Sequence, residues 1–299
     1  MPDHRSGKIR PTPRERLEYA AIAAILWFLR LFPYRWRVPL AGWVIARVVA
    51  PLTGMRRRIR ANLGLVCPDL SPAERRAIER GVPDNFGRMF AEMFSPGDFM
   101  AVVAATPLAG PGLPDLRRAQ AEGRPIVAVS GHFGNYDIGR ARLIHEGLNV
   151  GGLYRPMNNR LFNRIYVHAI ACVGGPLFIR DKAGFGQMLR HLRAGNTVAI
   201  LLDQHIGSGA RLRFFGHPAR TALSAAQMAL RYDALLIPIY AIRQPDGISF
   251  RIEVEQPIPP SDELSMTQAI NDSLEAQVRR HMDQWLWIHR RWKDRGGAT

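Results

Sequence analysis

Pro125-Ile126-Val127-Ala128-Val129-Ser130-Gly131-His132-Phe133-Gly134-Asn135-Tyr136-Asp137 decides the reading of this chain. The run from Pro125 to Val129 has the length and β-branched content of a core strand, and Asn135 to Glu146 then reads as a helix. His132 therefore falls in the crevice between strand end and helix start. In open α/β sheets that crevice is where ligands bind, and the free backbone N–H groups of the helix start favour negative charge. A neutral imidazole there can take a proton from an attacking hydroxyl. Asp137, folded back onto the other ring nitrogen, would fix the tautomer and stabilise the imidazolium that forms. Taken alone, this spacing equally suits a capping or core histidine.

Outward from this stretch, strands and helices alternate. Strands are expected at Val150 to Tyr154, Pro176 to Ile179 and Thr197 to Leu202, with helices at Leu161 to Cys172 and Phe185 to Arg193. The alternation predicts an α/β fold with a central, mainly parallel sheet flanked by helices. Leu235 to Arg243 and Ile248 to Glu255, joined through Pro245-Asp246-Gly247, read as a hairpin at the sheet edge. Ser71-Pro72-Ala73-Glu74 is a helix start, Asn62 to Pro68 a linker, and Arg88 to Phe94 a helix in which Glu92 reads as a surface residue and a candidate for the site. Apolar positions from Met266 to Trp292 recur at helical spacing and predict one long amphipathic helix.

The N-terminal segment has a different character. Tyr19 to Leu29 is apolar throughout but broken by Arg30, and Val38 to Leu52 carries Arg47, so each falls short of the roughly 20 apolar residues of a span. Trp27, Trp36 and Trp43 at the segment edges and the cluster Arg56, Arg57, Arg58 and Arg60 suit an anionic membrane surface. Residues 1–60 are thus expected to be a membrane-attachment segment and 61–299 the α/β domain; two buried helices of a soluble protein are the alternative. Lys and Arg number 41 against 25 acidic residues in 299, a net charge of +16 that calls for an anionic partner. No zinc-finger spacing or RNA-recognition signature supports nucleic acid in that role. Cys67 and Cys172 match no CxxC pattern and are expected to be free thiols.

Three further segments bring polar groups to the same sheet edge: Tyr154-Arg155-Pro156, Asp203-Gln204-His205, and Phe214-Phe215-Gly216-His217-Pro218-Ala219-Arg220-Thr221. Arg155 suits an anion clamp. Asp203 could cap the following loop or hold Arg155. Phe214 and Phe215 read as core, Gly216 permits a turn, and Thr221 could cap a helix over Ala222 to Tyr232. Two rival chemistries fall on the same residues. His132, Asp137, Asp203 and His205 could ligate zinc or iron, but no HxxEH pairing is present. Ser130 lacks the glycines of a GxSxG elbow, which argues against a serine hydrolase.

Together the His132 to Asp137 box, Tyr154-Arg155-Pro156 with Asn158-Asn159, Asp203-Gln204, Phe214-Phe215-Gly216 with Thr221, and Trp285-Leu286-Trp287-Ile288-His289-Arg290-Arg291-Trp292 resemble the bacterial lipid A late acyltransferases. That family includes mannoside acyltransferases and sits within the wider HxxxxD/E glycerolipid acyltransferase group. The resemblance implies an O-acyltransferase with His132 as general base and Asp137 orienting it, although the family often has Glu at this place. It further implies that Arg155 binds acceptor phosphate or supports the oxyanion, that Asp203 and Gln204 shape the site, and that Phe215, Gly216 and Thr221 belong to the substrate-binding set. No cofactor and no metal are expected. The co-substrate would be an acyl thioester of acidic acyl carrier protein or of coenzyme A, the acceptor an anionic membrane lipid such as a lipid A precursor, and the location the cytoplasmic face of a bacterial inner membrane. A lysophospholipid, aminolipid or glycolipid acceptor, or a non-enzymatic lipid-binding protein, are the competing readings.

Overall fold

The computed structural model describes residues 11–293. Its first third is helical. α1 (Pro13–Arg30) starts on a capping box, in which Thr12 accepts from the Glu15 backbone and the Glu15 carboxylate accepts from the Thr12 N–H. α2 (Tyr34–Val44) passes through a five-residue π-helical stretch, Ile45–Val49, into the short α3 (Ala50–Leu52). α4 (Met55–Val66) then occupies most of the expected linker, because Ile59, Leu63 and Val66 repeat at helical spacing and are all buried. α5 (Pro72–Met93) opens on the Ser71/Glu74 capping box and runs on through Pro83, so the expected helix from Arg88 is only its last turns. α2 lies against α5 where Gly42 meets Gly87; a Cβ on Gly87 would stand 2.5 Å from the Ala41 carbonyl oxygen.

α6 (Pro96–Ala105), β1 (Leu108–Ala109) and α7 (Leu113–Ala121) lead into the repeating part. There β2 (Ile126–Ser130), α8 (Tyr136–His145), β3 (Val150–Tyr154), α9 (Arg160–Ala171), β4 (Leu177–Ile179), α10 (Lys182–Arg193) and β5 (Thr197–Leu201) follow the expected alternation to within a few residues. A separate antiparallel pair, β6 (Ala210–Phe214) and β7 (His217–Thr221), precedes α11 (Ser224–Arg231), β8 (Leu235–Arg243), β9 (Phe250–Val254) and α12 (Glu263–Arg280). The central sheet has seven strands in the order β1-β9-β8-β2-β5-β3-β4, parallel except for the β8/β9 hairpin. That hairpin is not quite the edge, since β1 pairs outside it. Apolar side chains fill both faces, Leu116, Ile138 and Ile252 on one and Met188, Leu192 and Val198 on the other. A third cluster joins Phe133, Phe214, Phe215, Trp285, Trp287 and Trp292.

Two expectations are corrected here, one from periodicity and one from capping. The last helix stops at Arg280 instead of continuing to Trp292. Residues 284–286 spend their backbone on the His box: the Gln284 carbonyl accepts from Gly134 N–H, and Leu286 N–H donates to the His132 carbonyl. Those partners replace the helical ones, and the tryptophans at helical spacing enter the aromatic cluster from irregular chain. Thr221, in turn, ends β7, and α11 starts later with Leu223 at its cap.

Among the described residues no single helix is long and apolar enough to cross a membrane; the pair Tyr34–Leu52 and Met55–Val66 is so only jointly, and it is bent by 85°. Large apolar side chains nevertheless face outward along this region, including Trp27, Leu31, Trp36, Trp43 and Leu52.

Candidate functional site

β2 and β5 are in-register parallel neighbours, with Ser130 opposite Leu201. Two residues beyond each strand end stand His132 and Asp203. Parallel pairing thus carries a histidine and an aspartate that are 71 positions apart in sequence to the same sheet edge. His132 Nδ1 lies 2.7 Å from Asp203 Oδ1, while Asp203 Oδ2 accepts from the His132 backbone N–H at 2.7 Å and from Trp285 Nε1 at 2.8 Å. An ionised carboxylate can only accept, so the nitrogen facing it carries the hydrogen and Nε2 keeps its lone pair. The Gln204 amide stands 3.4 Å from that Nε2. Burial of the Asp203 carboxyl favours its neutral form, but the attraction of His132 and the hydrogen bonds it donates outweigh this and hold the group well below the usual carboxylate range.

The carboxylate that reaches the imidazole is therefore Asp203, and the expected His132–Asp137 contact is replaced. Asp137 lies in the first turn of α8 and accepts from Arg140 Nε at 2.8 Å. Arg140 also donates to the Gly174 and Ile170 carbonyls, so this pair ties α8 to the C-terminal end of α9. The turn between β2 and α8 holds the imidazole in place through Gly134, whose φ of 55° is open to glycine and whose Cβ would fall 2.1 Å from the Ala241 carbonyl oxygen. Asn135 caps α8 by accepting from Asp137 N–H and donates its amide to Glu92. Glu92, expected at the surface, is fully buried and paired with Arg243, since α5 passes directly beneath the His box.

Arg155, just past β3, is exposed at the same end of the sheet, with its guanidinium 3.2 Å from Asn158 Oδ1 and not on Asp203. Asn159 joins this segment to α1 through a bond to the Glu15 carbonyl at 2.9 Å. Of the substrate-binding candidates of the third segment, Phe215 and Thr221 are buried and Gly216 is exposed. Phe215 and Gly216 form the β6–β7 turn with φ of 53° and 72°, and the Phe215 N–H donates to Glu275. Phe215 is buried among Phe214, Trp287 and Trp292. Thr221 is fully buried and accepts from Arg291 at 2.6 Å and Asn271 at 3.2 Å. Phe215 thus belongs to the aromatic cluster behind the site and Thr221 to a polar group with Arg291 and Asn271, and no hydrogen bond or ring contact joins either to the imidazole.

His132 opens onto a hollow lined by Val82, Phe86, Met89, Tyr136, Trp285 and Leu286. Its ring meets Tyr136 edge-on at 5.1 Å and His289 at 4.7 Å. Burial, reinforced by the nearby His132, pushes the His289 imidazole down to about 4. His289 was legible only as part of the closing tryptophan-rich box, with nothing to connect it to His132. Among the described residues, the titratable groups gathered closely enough to share an ion are His132, Asp203 and His289; Asp137 and His205 of the expected ligand set stand outside. Neither Cys67 nor Cys172 is in a disulfide.

The arrangement supplies a base, an anion that aligns it, and an apolar recess beside it. Known proteins are similar to this chain over most of its length. A family model described as bacterial lipid A biosynthesis acyltransferase matches residues 8–294. The lipid A biosynthesis lauroyltransferase of Escherichia coli K12 is 26% identical over 299 aligned positions, covering 95% of this chain and 93% of that protein. The lipid A biosynthesis palmitoleoyltransferase of the same organism is 25% identical, covering 91% and 89%. A phosphatidylinositol mannoside acyltransferase of Mycobacterium tuberculosis H37Rv is 24% identical over a shorter stretch, 60% of this chain and 58% of that one. With a family match spanning nearly the whole sequence, this chain belongs to the bacterial lipid A biosynthesis acyltransferases.

Proposed function

We propose that the protein transfers a fatty acyl chain from an acyl thioester to a hydroxyl of a lipid A precursor, with His132 as general base and Asp203 as the residue that orients it. The observation that carries this reading is the 2.7 Å contact between His132 Nδ1 and a fully buried Asp203. It leaves Nε2 unprotonated on a ring that lines the hollow. As the acceptor oxygen attacks the thioester carbonyl, Nε2 takes its proton; the tetrahedral intermediate collapses, the C–S bond breaks, and the departing thiolate recovers the proton from the imidazolium. Asp203 stabilises that imidazolium while it lasts. The apolar side of the hollow suits the first carbons of the acyl chain, and Arg155 suits a phosphate of the acceptor.

The donor fits acyl carrier protein, because a net charge of +16 steers an acidic partner. Attachment falls to residues 1–60, with 61–299 as the acyltransferase domain. Exposed Trp27, Trp36, Trp43 and Leu52, flanked by exposed Arg30, Arg35, Arg47 and Arg57, suit helices lying in the headgroup region at the cytoplasmic face of an inner membrane. The chemistry needs no metal or cofactor. The test is His132→Ala in the full-length protein in detergent micelles, followed by mass spectrometry of the product. Loss of transfer of at least about 100-fold per folded molecule is expected, with the melting temperature lowered by the loss of the bond to Asp203; unchanged turnover rejects the base.

A further inference from the structure

We propose that His132 and His289, with Asp203 behind the first, form a binding site for a divalent transition-metal ion, Zn2+ above all, and that the ion switches the enzyme off. The inference rests on His132 being the base, because the ion would occupy the same lone pair that takes the proton. Three observations lead to it. One ligating atom from each of His132, Asp203 and His289 lies within 4.8 Å of the other two. His289 Nε2 is buried and has no hydrogen-bond partner, which in a packed protein calls for a water or an ion. And Asp203 already engages His132 Nδ1, the carboxylate–histidine arrangement that fixes an imidazole for coordination through its other nitrogen.

Tetrahedral Zn2+ with bonds of about 2.0–2.1 Å to nitrogen sets its ligand atoms roughly 3.4 Å apart. The two rings stand edge to face at 4.7 Å between centroids, and the ion would take the place of the Gln204 amide, 3.4 Å from His132 Nε2, as the rings turn toward it. Water or a substrate oxygen completes the shell. Imidazole selects zinc, copper or nickel over magnesium and calcium, so the effect is specific to the softer ions.

The experiment uses metal-free full-length protein in detergent micelles. Zinc affinity is read by competition with a chromophoric chelator without substrates, and initial rates are read against free Zn2+ and, separately, Mg2+. One zinc per chain is expected, with inhibition following occupancy, reversal by EDTA, and no effect of Mg2+ at the same concentration. His289→Gln weakens zinc binding and inhibition, measured against its own zinc-free rate, by about 10- to 100-fold. Asp203→Asn weakens binding similarly. Cys172→Ser, which removes the thiol 3.8 Å from His168, leaves binding unchanged. Inhibition without a bound ion, equal zinc sensitivity in His289→Gln, or loss of binding in Cys172→Ser overturns the proposal. His132→Gln separates the two readings: retained acyl transfer defeats the base, whereas an inactive variant that binds zinc as the wild type does defeats only the metal site.

Discussion

Replacing Asp203 by asparagine isolates the role of its charge with almost no change of shape. The carboxylate accepts three bonds, one at Oδ1 from the imidazole and two at Oδ2 from the His132 backbone and Trp285. An amide keeps one acceptor, and the lower-energy orientation points it at the two fixed donors. Its NH2 then faces His132 Nδ1, which can pair with it only as the unprotonated nitrogen. The hydrogen moves to Nε2, and the lone pair that faced the substrate is gone. One charge-assisted bond is lost, about 1.5–3 kcal/mol of stability, while the loss of general base catalysis lowers kcat by about 100- to 10,000-fold. A depressed carboxyl stabilises the fold at pH values above its unfolded value of 3.8, and that contribution disappears as pH falls through the lower folded value. Wild-type and Asp203→Asn melting temperatures should therefore converge in acid and separate above about pH 4. Calorimetry across pH and single-turnover acyl transfer measure the two effects. A variant within threefold of the wild-type rate, a difference of about 0.6 kcal/mol in the barrier, would refute the assignment of Asp203.

Asp137→Asn should behave in the opposite way: by leaving Arg140 without its counter-charge it costs about 3 kcal/mol of stability, yet turnover per folded molecule stays within a few-fold, as paired denaturation and active-site titration would show. Glu92→Gln breaks the buried pair with Arg243 under the His box and should cost about 3–5 kcal/mol in chemical denaturation. Arg155→Ala should raise KM for a phosphorylated acceptor about tenfold, and Lys should restore it only in part, because one ammonium replaces a forked donor; an unchanged KM removes the clamp. The triple change of Trp27, Trp36 and Trp43 to serine should weaken vesicle flotation by about 100-fold, near 1 kcal/mol for each partly buried ring, and equal flotation would remove these side chains from the membrane contact.

The alternating strands and helices were legible because each short apolar run is bounded by glycine, proline or a capping residue, and such signals are local. The His132 side of the site was legible for the same reason: strand, turn and cap all lie within thirteen residues of Pro125. Its true partner was not. Asp203 meets His132 only because β5 lies beside β2 in register, and strand order is a property of the whole sheet. Asp137, nearer in sequence, starts a helix whose first turn directs it to Arg140 three residues on. The helical spacing of Trp285, Ile288 and Trp292 misled for a related reason, as tertiary backbone bonds to the His box outweighed local preference. Burial of Glu92 was equally hidden, since nothing near it in sequence announces Arg243.

The backbone stitch from residues 284–286 to the His box gives this edge of the sheet a dependence on the order of synthesis. Trp285 supplies one of the three donors that hold Asp203, and Leu286 closes one wall beside His132. On a ribosome both emerge long after the sheet strands. A chain halted before them would own imidazole and carboxylate but lack the clasp that fixes their orientation, so the arrangement is completed only with the final segment.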